Sequence, residues 1–219
     1  MHAALRAAVS GWLRPASFGL FFGLLLASAV APAQDLVRVE EDWEMVLGEP
    51  DFNSCGPQVA CTMSPLGDID GTHFTLEINH RSMPYWSPGG ITLHHWSGEW
   101  RLQSMERQDR SVMQTNGEVV RWTQSLDTSV PGYLTFQITD GTSSTWGPFG
   151  YSMNVKLSTV WLAGHINNYS PDVSVSRSGV AFAGNRVSSL KILRVRATLS
   201  DFSTATDDTV RVVHQHPAP

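Results

Sequence analysis

The chain has 219 residues, with 15 Lys or Arg against 20 Asp or Glu and a formal net charge of −5. Nucleic-acid binding needs a basic face that neutralises phosphates, so this acidic balance argues against nucleic acid as a partner. Hydrophobic residues make up 42% of the chain, which suits one globular domain with its own core.

Residues 1–33 have the three-part form of a secretory signal peptide. Arg6 and Arg14 give the positive start, residues 18–30 the apolar core, and small alanines the cleavage sites. This core is shorter than the ~20 residues of a spanning helix, which favours cleavage over the alternative of an uncleaved membrane anchor. We therefore predict an exported protein, secreted or in the periplasm or cell envelope, with no membrane contact after cleavage. Without the two signal arginines, 13 basic residues face 20 acidic ones and the net charge is −7.

The rest of the chain predicts an all-β, antiparallel two-sheet sandwich. Short segments of alternating apolar and polar residues recur every ~8–12 residues, separated by Gly, Pro and Asn, and no long segment has helical periodicity. We place the sandwich at residues 34–202 and a polar C-terminal tail, expected to be frayed, at 203–219. The predicted strands are 37–47, 59–63, 72–80, 91–96, 99–105, 118–126, 133–139, 142–146, 153–162, 173–182 and 188–199.

The last two predicted strands carry the strongest pattern in the chain. Gly184 and Asn185 tolerate positive φ and predict a turn between them. The second strand has apolar residues on both faces, which is typical of a strand inside a sheet. We therefore predict this hairpin as the centre of one sheet, with two apolar sets: Leu190 and Ile192 on one face, and Leu193, Val195, Ala197 and Leu199 on the other.

The layout resembles the concanavalin A-like lectin and glucanase jelly rolls. The segment GVAFAGNRVSSLKILRVR, residues 179–196, is similar to the closing hairpin of exported bacterial members without an assigned activity. The resemblance also implies that residues 188–199 pair beside an N-terminal strand at residues 43–47. Members of this family include lectins, glycan-binding modules, glycoside hydrolases and polysaccharide lyases, so the resemblance implies a carbohydrate ligand.

The chain has two cysteines, Cys55 and Cys61, in a segment that also holds Gly56 and Pro57. An even number of cysteines in an exported chain favours a disulfide, and one between these two would close a small loop. Two free buried thiols are the alternative.

A calcium-loop signal lies at Asp68-Ile69-Asp70-Gly71. A full EF-hand loop needs a bidentate Glu at its twelfth position, and that position here is Asn79. The sequence therefore allows a structural calcium ion on Asp68 and Asp70 or a plain turn in which an Asp side chain accepts a backbone hydrogen bond. We predict no other cofactor.

The clearest acidic motif is E-x-D-x-E at Glu40, Asp42 and Glu44, which matches laminarinase-type hydrolases. On a strand these side chains share one face, at a spacing of ~6.6 Å between successive residues of the motif. The motif opens the predicted domain and has a fourth acidic residue, Glu41, at an x position that is apolar in that family. We therefore interpret it as a solvated edge strand rather than a catalytic site.

A polar and aromatic surface is the remaining candidate. Sugar binding needs an aromatic ring against the pyranose C–H face and a few polar groups at fixed spacing. The candidate ligand-binding residues are Glu77, Asn79, His94, Trp96 and Arg121 on strands, with Tyr85 and Trp86 in a loop rich in Pro and Gly. The alternative for the strand tryptophans is burial in the core.

These observations predict a non-catalytic protein that binds a glycan or another cell-surface polymer. A glycan-degrading enzyme (a glycoside hydrolase or a polysaccharide lyase) and a structural or adhesive envelope protein are the alternatives.

Overall fold

A computed structural model of the protein describes residues 34–49, 56–79, 90–106, 110–158, 166–181 and 186–216. All of them belong to one compact unit, Gln34–Pro219. The predicted signal peptide at residues 1–33, Cys55, Tyr85, Trp86 and the predicted turn at Gly184 and Asn185 lie outside the described residues.

The described residues form twelve strands and one short helix, which confirms the predicted all-β class. The strands are β1 (Leu36–Leu47), β2 (Val59–Met63), β3 (Thr72–Ile78), β4 (Ile91–Ser97), β5 (Trp100–Glu106), β6 (Val119–Asp127), β7 (Tyr133–Thr142), β8 (Met153–Ser158), β9 (Gly179–Val180), β10 (Val187–Leu199), β11 (Thr204–Asp207) and β12 (Arg211–Gln215), and the helix is α1 (Pro171–Arg177). None of the helices in this part of the chain is long and apolar enough to cross a membrane.

The strands form two antiparallel sheets that pack as a sandwich. The larger sheet has seven strands in the order β11-β10-β1-β6-β7-β8, with β12 also paired to β10. The smaller has five strands in the order β5-β4-β3-β2-β9. β11 and β12 both pair with β10, so the strands continue past residue 202, and the described part of the predicted tail is paired rather than frayed.

The core lies between the sheets because alternate residues of each strand point inward. In β1 the inward residues Val39, Trp43 and Met45 are fully buried. Stacked rings connect the layers: Phe74 of the five-stranded sheet lies 5.2 Å from Phe136 of the seven-stranded sheet, centroid to centroid. This contact fixes which face of each sheet is inner and which is outer.

β10 pairs with β1 as the resemblance implied, with Trp43 opposite Ile192 and Leu47 opposite Val187. A register shift between Ile192 and Arg194 leaves Leu193 without a partner in this ladder. Such a bulge changes the phase of the side chains, so Ile192 and Val195 are both buried although they differ by three positions. Leu190, Ile192 and Val195, which we predicted on two faces, therefore serve one core.

The prediction of a central hairpin at residues 173–199 is wrong in its first half. Residues 171–177 form α1, and the short strand β9 that follows pairs with β2 of the other sheet. Pro171 at the first helical turn and Asp172 beside it favour a helix start, whereas the β-branched Val173 and Val175 suggested a strand. The local start signal and packing against β2 override the strand propensity.

Candidate functional site

The outer face of the five-stranded sheet, which points away from the core, carries mostly polar side chains. Its inward residues Phe74, Leu76 and Ile78 belong to the core. The side chains on the other face lie at neighbouring ladder positions, and we call this set the outer polar face: Thr62, His73, Thr75, Glu77, Asn79, Thr92, His94, Trp96 and Ser104. Most of them are buried, including His94 with 2% of its surface exposed and Asn79 with 5%.

Three side chains of this face form a hydrogen-bonded chain across three strands. His94 Nδ1 lies 3.0 Å from Ser104 Oγ, and His94 Nε2 lies 2.9 Å from Glu77 Oε2. The imidazole is buried, the Glu77 side chain is 15% exposed, and Ser104 at the end of the chain is exposed. We call this set the Ser–His–Glu relay.

The register of the strands produces the relay. Ser104 lies directly opposite His94 in the β4–β5 ladder, so both side chains leave the sheet on the same face. Glu77 lies opposite Thr92 in the β3–β4 ladder, and a diagonal reach of ~7–8 Å between backbones brings its carboxylate to the imidazole.

Aromatic rings hold the imidazole in place. The Trp96 ring meets the His94 ring edge-on, with 5.8 Å between centroids. His73 in turn stacks on Trp96, with centroids 6.0 Å apart and rings within 1° of parallel. Burial lowers the pKa of His73, which favours the neutral form of this ring.

The partners of His94 assign its proton. A carboxylate only accepts hydrogen bonds, so the Nε2–H donates to Glu77. When the ring is neutral, its Nδ1 lone pair then accepts the Ser104 hydroxyl proton. A serine whose proton is shared with a histidine, which is itself oriented by a carboxylate, is an activated nucleophile.

The structure brings together only part of the predicted ligand-binding set. Glu77, His94 and Trp96 are neighbours on the outer polar face. Asn79 ends β3 with a φ of 49°, and its Oδ1 accepts a hydrogen bond from Gly90 N at 2.5 Å. Arg121 is on β6 of the other sheet, where its guanidinium pairs with Glu44 at 2.7 Å. Tyr85 and Trp86 lie outside the described residues.

The acidic motif of β1 lies on the outer face of the seven-stranded sheet and is paired with arginines. Arg196 Nη1 lies 2.7 Å from Asp42 Oδ2, and Arg194 also pairs with this oxygen at 2.6 Å. Glu40 pairs with Arg38 at 2.9 Å. The motif thus lies on an arginine-paired face, but the prediction of an edge strand is wrong, because β1 lies between β10 and β6 in the seven-stranded sheet.

Sequence reasoning missed Glu41, which lies between the sheets and is fully buried. Its carboxylate accepts hydrogen bonds from Tyr169 Oη at 2.6 Å and from Trp43 Nε1 at 2.9 Å. Burial raises the pKa of Glu41 to about 7, against the hydrogen bonds from Ser174, Tyr169 and Trp43, which lower it. Period-two alternation from Val39 to Trp43 was the signal that could have placed it inside.

Gln124 lies opposite Glu41 in the β1–β6 ladder and is equally buried. Neither polar atom of its amide has a hydrogen-bond partner within the part of the chain that the structure describes. Glu41 and Gln124 therefore form a polar island in the core, closed to solvent.

The calcium site at Asp68 and Asp70 and the disulfide between Cys55 and Cys61 stay predictions. Asp68 and Asp70 are exposed, and Asp68 Oδ1 accepts a weak hydrogen bond from Gly71 N at 3.3 Å, as in the predicted turn. No group of three His, Cys, Asp or Glu side chains is placed for a metal ion within the ranges that the structure describes. Cys61 is a buried free thiol whose pKa is raised by burial and by the Glu41 charge, and its predicted partner Cys55 is outside those ranges.

Comparisons with known proteins show no family for the chain. No protein-family model matches the chain, and no curated protein matches it in sequence. Among solved structures, it is similar to scytalido-glutamic peptidase with a transition state analog inhibitor, at a TM-score of 0.38 and 11% identity over 82% of each chain. A likeness of this size assigns no activity to the chain, and the resemblance to concanavalin A-like proteins extends only to the two-sheet sandwich.

The prediction of a non-catalytic glycan-binding protein is wrong. A solved structure similar to the chain is named as a peptidase and not as a glycan-binding protein. The face predicted to bind sugar also has its polar groups engaged with one another: the Glu77 carboxylate and the Ser104 hydroxyl both contact the His94 imidazole, and Asn79 bonds to Gly90.

Proposed function

We propose that the chain is a hydrolase that cleaves carboxylic esters or amides by acyl transfer to Ser104. The observation that carries this proposal is the Ser–His–Glu relay, in which both ring nitrogens of a buried His94 contact a partner within 3.0 Å. The exposed hydroxyl at one end and the partly buried carboxylate at the other give the polarity that a nucleophilic relay needs.

The chemistry follows from the three groups. Ser104 Oγ attacks the substrate carbonyl carbon while its proton moves to His94 Nδ1, and Glu77 stabilises the resulting imidazolium. Collapse of the tetrahedral intermediate breaks the bond to the alcohol or amine, which leaves with the proton from His94. A water molecule then attacks the acyl-serine, His94 takes its proton, and the carboxylic acid is released as Ser104 regains its hydrogen.

The relay does not depend on which of the two ring nitrogens of His94 faces the serine. Here Nδ1 faces the serine and Nε2 faces the carboxylate. Each ring nitrogen can act as base when the other holds a proton bonded to a carboxylate, so the relay works in this orientation.

Hydrolysis of 4-nitrophenyl acetate by the purified chain tests the proposal. Ser104→Ala removes the nucleophile and should lower kcat by ~10³-fold or more, and Glu77→Gln, which removes only the orienting charge, by ~10²–10⁴-fold. Ser97→Ala is the matched control, because Ser97 is an exposed serine at the end of β4 outside the relay. Equal rates for Ser104→Ala and the wild type would overturn the proposal.

A further inference from the structure

A second feature of the same sheet is a cavity of about 360 Å³ beside β2. It is lined by Ala60 and by the continuous segment from Ser176 to Ala181, which is the end of α1 followed by β9. The Ser178 hydroxyl accepts a hydrogen bond from Thr62 N at 2.8 Å and anchors this segment to β2. This hydrogen bond fixes one wall of the cavity to the sheet.

The cavity opens on the outer polar face. Ala60 lies directly opposite Glu77 in the β2–β3 ladder and opposite Gly179 in the β2–β9 ladder, so all three positions share one face. A Cβ atom built on Gly179 would meet nothing within 4 Å. The floor of the cavity is thus two small residues, one of them next to the carboxylate of the relay.

The distance to the nucleophile is set by the sheet. Ser104 is on β5 and Ala60 is on β2, three strands away in the order β5-β4-β3-β2. With ~4.8 Å between neighbouring strands, the cavity lies ~14 Å from the serine across the sheet. An extended chain advances ~3.3 Å per residue, so about four residues of a substrate would span this distance.

Arg177 gives the cavity its charge. Its side chain lines the cavity, is exposed, and has no ion pair with another described residue. The pKa of His73 is lowered by burial and, to a smaller extent, by the Arg177 charge, whereas the Asp68 carboxylate acts on it in the opposite sense. The cavity lining places Arg177 beside Ala60 and Gly179, and Arg is the residue best suited to a planar carboxylate.

We propose that this cavity is a subsite that binds a carboxylate of the substrate on Arg177. The inference rests on the proposed hydrolase activity and adds a substrate class: extended, peptide-like acyl chains that carry a carboxylate about four residues from the scissile carbonyl. Arg177 supplies the charge-assisted hydrogen bonds, and the small residues Ala60 and Gly179 leave room for the end of the chain.

Two esters that differ only in the distal charge test the subsite. Succinyl-Ala-Ala-Ala 4-nitrophenyl ester carries the carboxylate at about the required distance, and the acetyl analogue does not. The wild type should show a KM about tenfold lower for the succinyl ester. Arg177→Gln should abolish this preference and leave the acetyl ester unaffected, and Gly179→Leu should fill the cavity with the same result. Arg121→Gln, which removes a positive charge from the other sheet, is the control.

A binding measurement separates this inference from the proposed activity. Calorimetry with the Ser104→Ala variant compares the succinyl and acetyl tripeptide amides, which are not cleaved. Tighter binding of the succinyl amide that Arg177→Gln abolishes supports the subsite even if no ester is hydrolysed. Equal binding of the two amides, or a preference that survives Arg177→Gln, would overturn the subsite and leave the Ser–His–Glu relay unaffected.

Discussion

Glu41 is an ionisable side chain without solvent contact, held by the Tyr169 hydroxyl and the Trp43 indole. Its pKa rises from 4.5 to about 7 because burial penalises the carboxylate. The folded state therefore binds this proton more tightly than the unfolded chain does. The stability that the proton contributes is complete below about pH 4.5 and is lost as the pH rises through about 7.

The first prediction concerns pH. Between pH 5 and 8 the wild type should lose about 3 kcal/mol of unfolding free energy relative to Glu41→Gln, in which this titration is absent. Urea unfolding of both proteins at several pH values measures the difference. Parallel pH profiles would show that Glu41 ionises at an ordinary pH.

The second prediction concerns Asp42 and Glu44, which lie two residues apart on the same face of β1. Asp42 is partly buried, and despite that burial its pKa is lowered by hydrogen bonds from Thr123, Arg194 and Arg196. Glu44 pairs only with Arg121, whose side chain is 60% exposed. Asp42→Asn should cost about 1.5–3 kcal/mol and Glu44→Gln less than about 1 kcal/mol. Denaturant midpoints measure both, and similar costs would show that the additional hydrogen bonds of Asp42 add no stability.

At the scale of elements, the distance between neighbouring backbone segments decides whether a glycine can be replaced by a residue with a side chain. Gly141 and Phe149 exchange backbone hydrogen bonds at 3.0 and 2.9 Å across an isolated bridge. A Cβ on Gly141 would lie 2.5 Å from Phe149 O and 2.4 Å from its ring, whereas a Cβ on Gly179 meets nothing within 4 Å.

A third prediction follows from this contrast. Gly141→Ala should destabilise the protein by about 1–3 kcal/mol, because the bridge to Phe149 must open. Gly179→Ala should change stability by less than about 0.5 kcal/mol, since its side chain enters the cavity. Thermal unfolding distinguishes the two, and a destabilised Gly179→Ala would mean that the cavity is filled.

Sequence patterns predicted the strands with a clean period of two, such as β2 and β3, to within two residues. They placed β10 to within one residue but assigned its faces wrongly, because the bulge at Leu193 changes the phase of the strand. They failed at α1 because packing against β2 outweighs the preferences of Val173 and Val175. Both failures come from contacts with residues that are distant in sequence, which a local pattern does not contain.

At the scale of the molecule, the seven-stranded sheet joins the two ends of the described chain. β10 lies between β1 and the C-terminal strands β11 and β12. Val213 of β12 also packs against the core. The C-terminal segment is thus part of the sheet.

The fourth prediction is a truncation. A chain that ends at Phe202 lacks β11 and β12, so one edge of β10 loses its hydrogen-bonding partners and the core loses Val213. We expect a lower melting temperature and more aggregation than in the full chain. An unchanged melting temperature would show that these strands add nothing to the sheet.

The candidate site was only partly within reach of the sequence. Alternation along β3 and β4 placed Glu77 and His94 on one face, and this could be predicted. Ser104 could not, because its pairing with His94 depends on the register of the β4–β5 ladder and on the bulge after His95. The relay is a property of the assembled sheet.

The most direct test of the relay is covalent labelling with a fluorophosphonate, which reacts with activated serines by losing fluoride. Mass spectrometry of the digested wild type should locate the label on Ser104, and His94→Gln should slow labelling by at least ~10²-fold because the base is missing. Labelling of several exposed serines at equal rates, or a rate unaffected by His94→Gln, would contradict the assignment of Ser104 as the nucleophile.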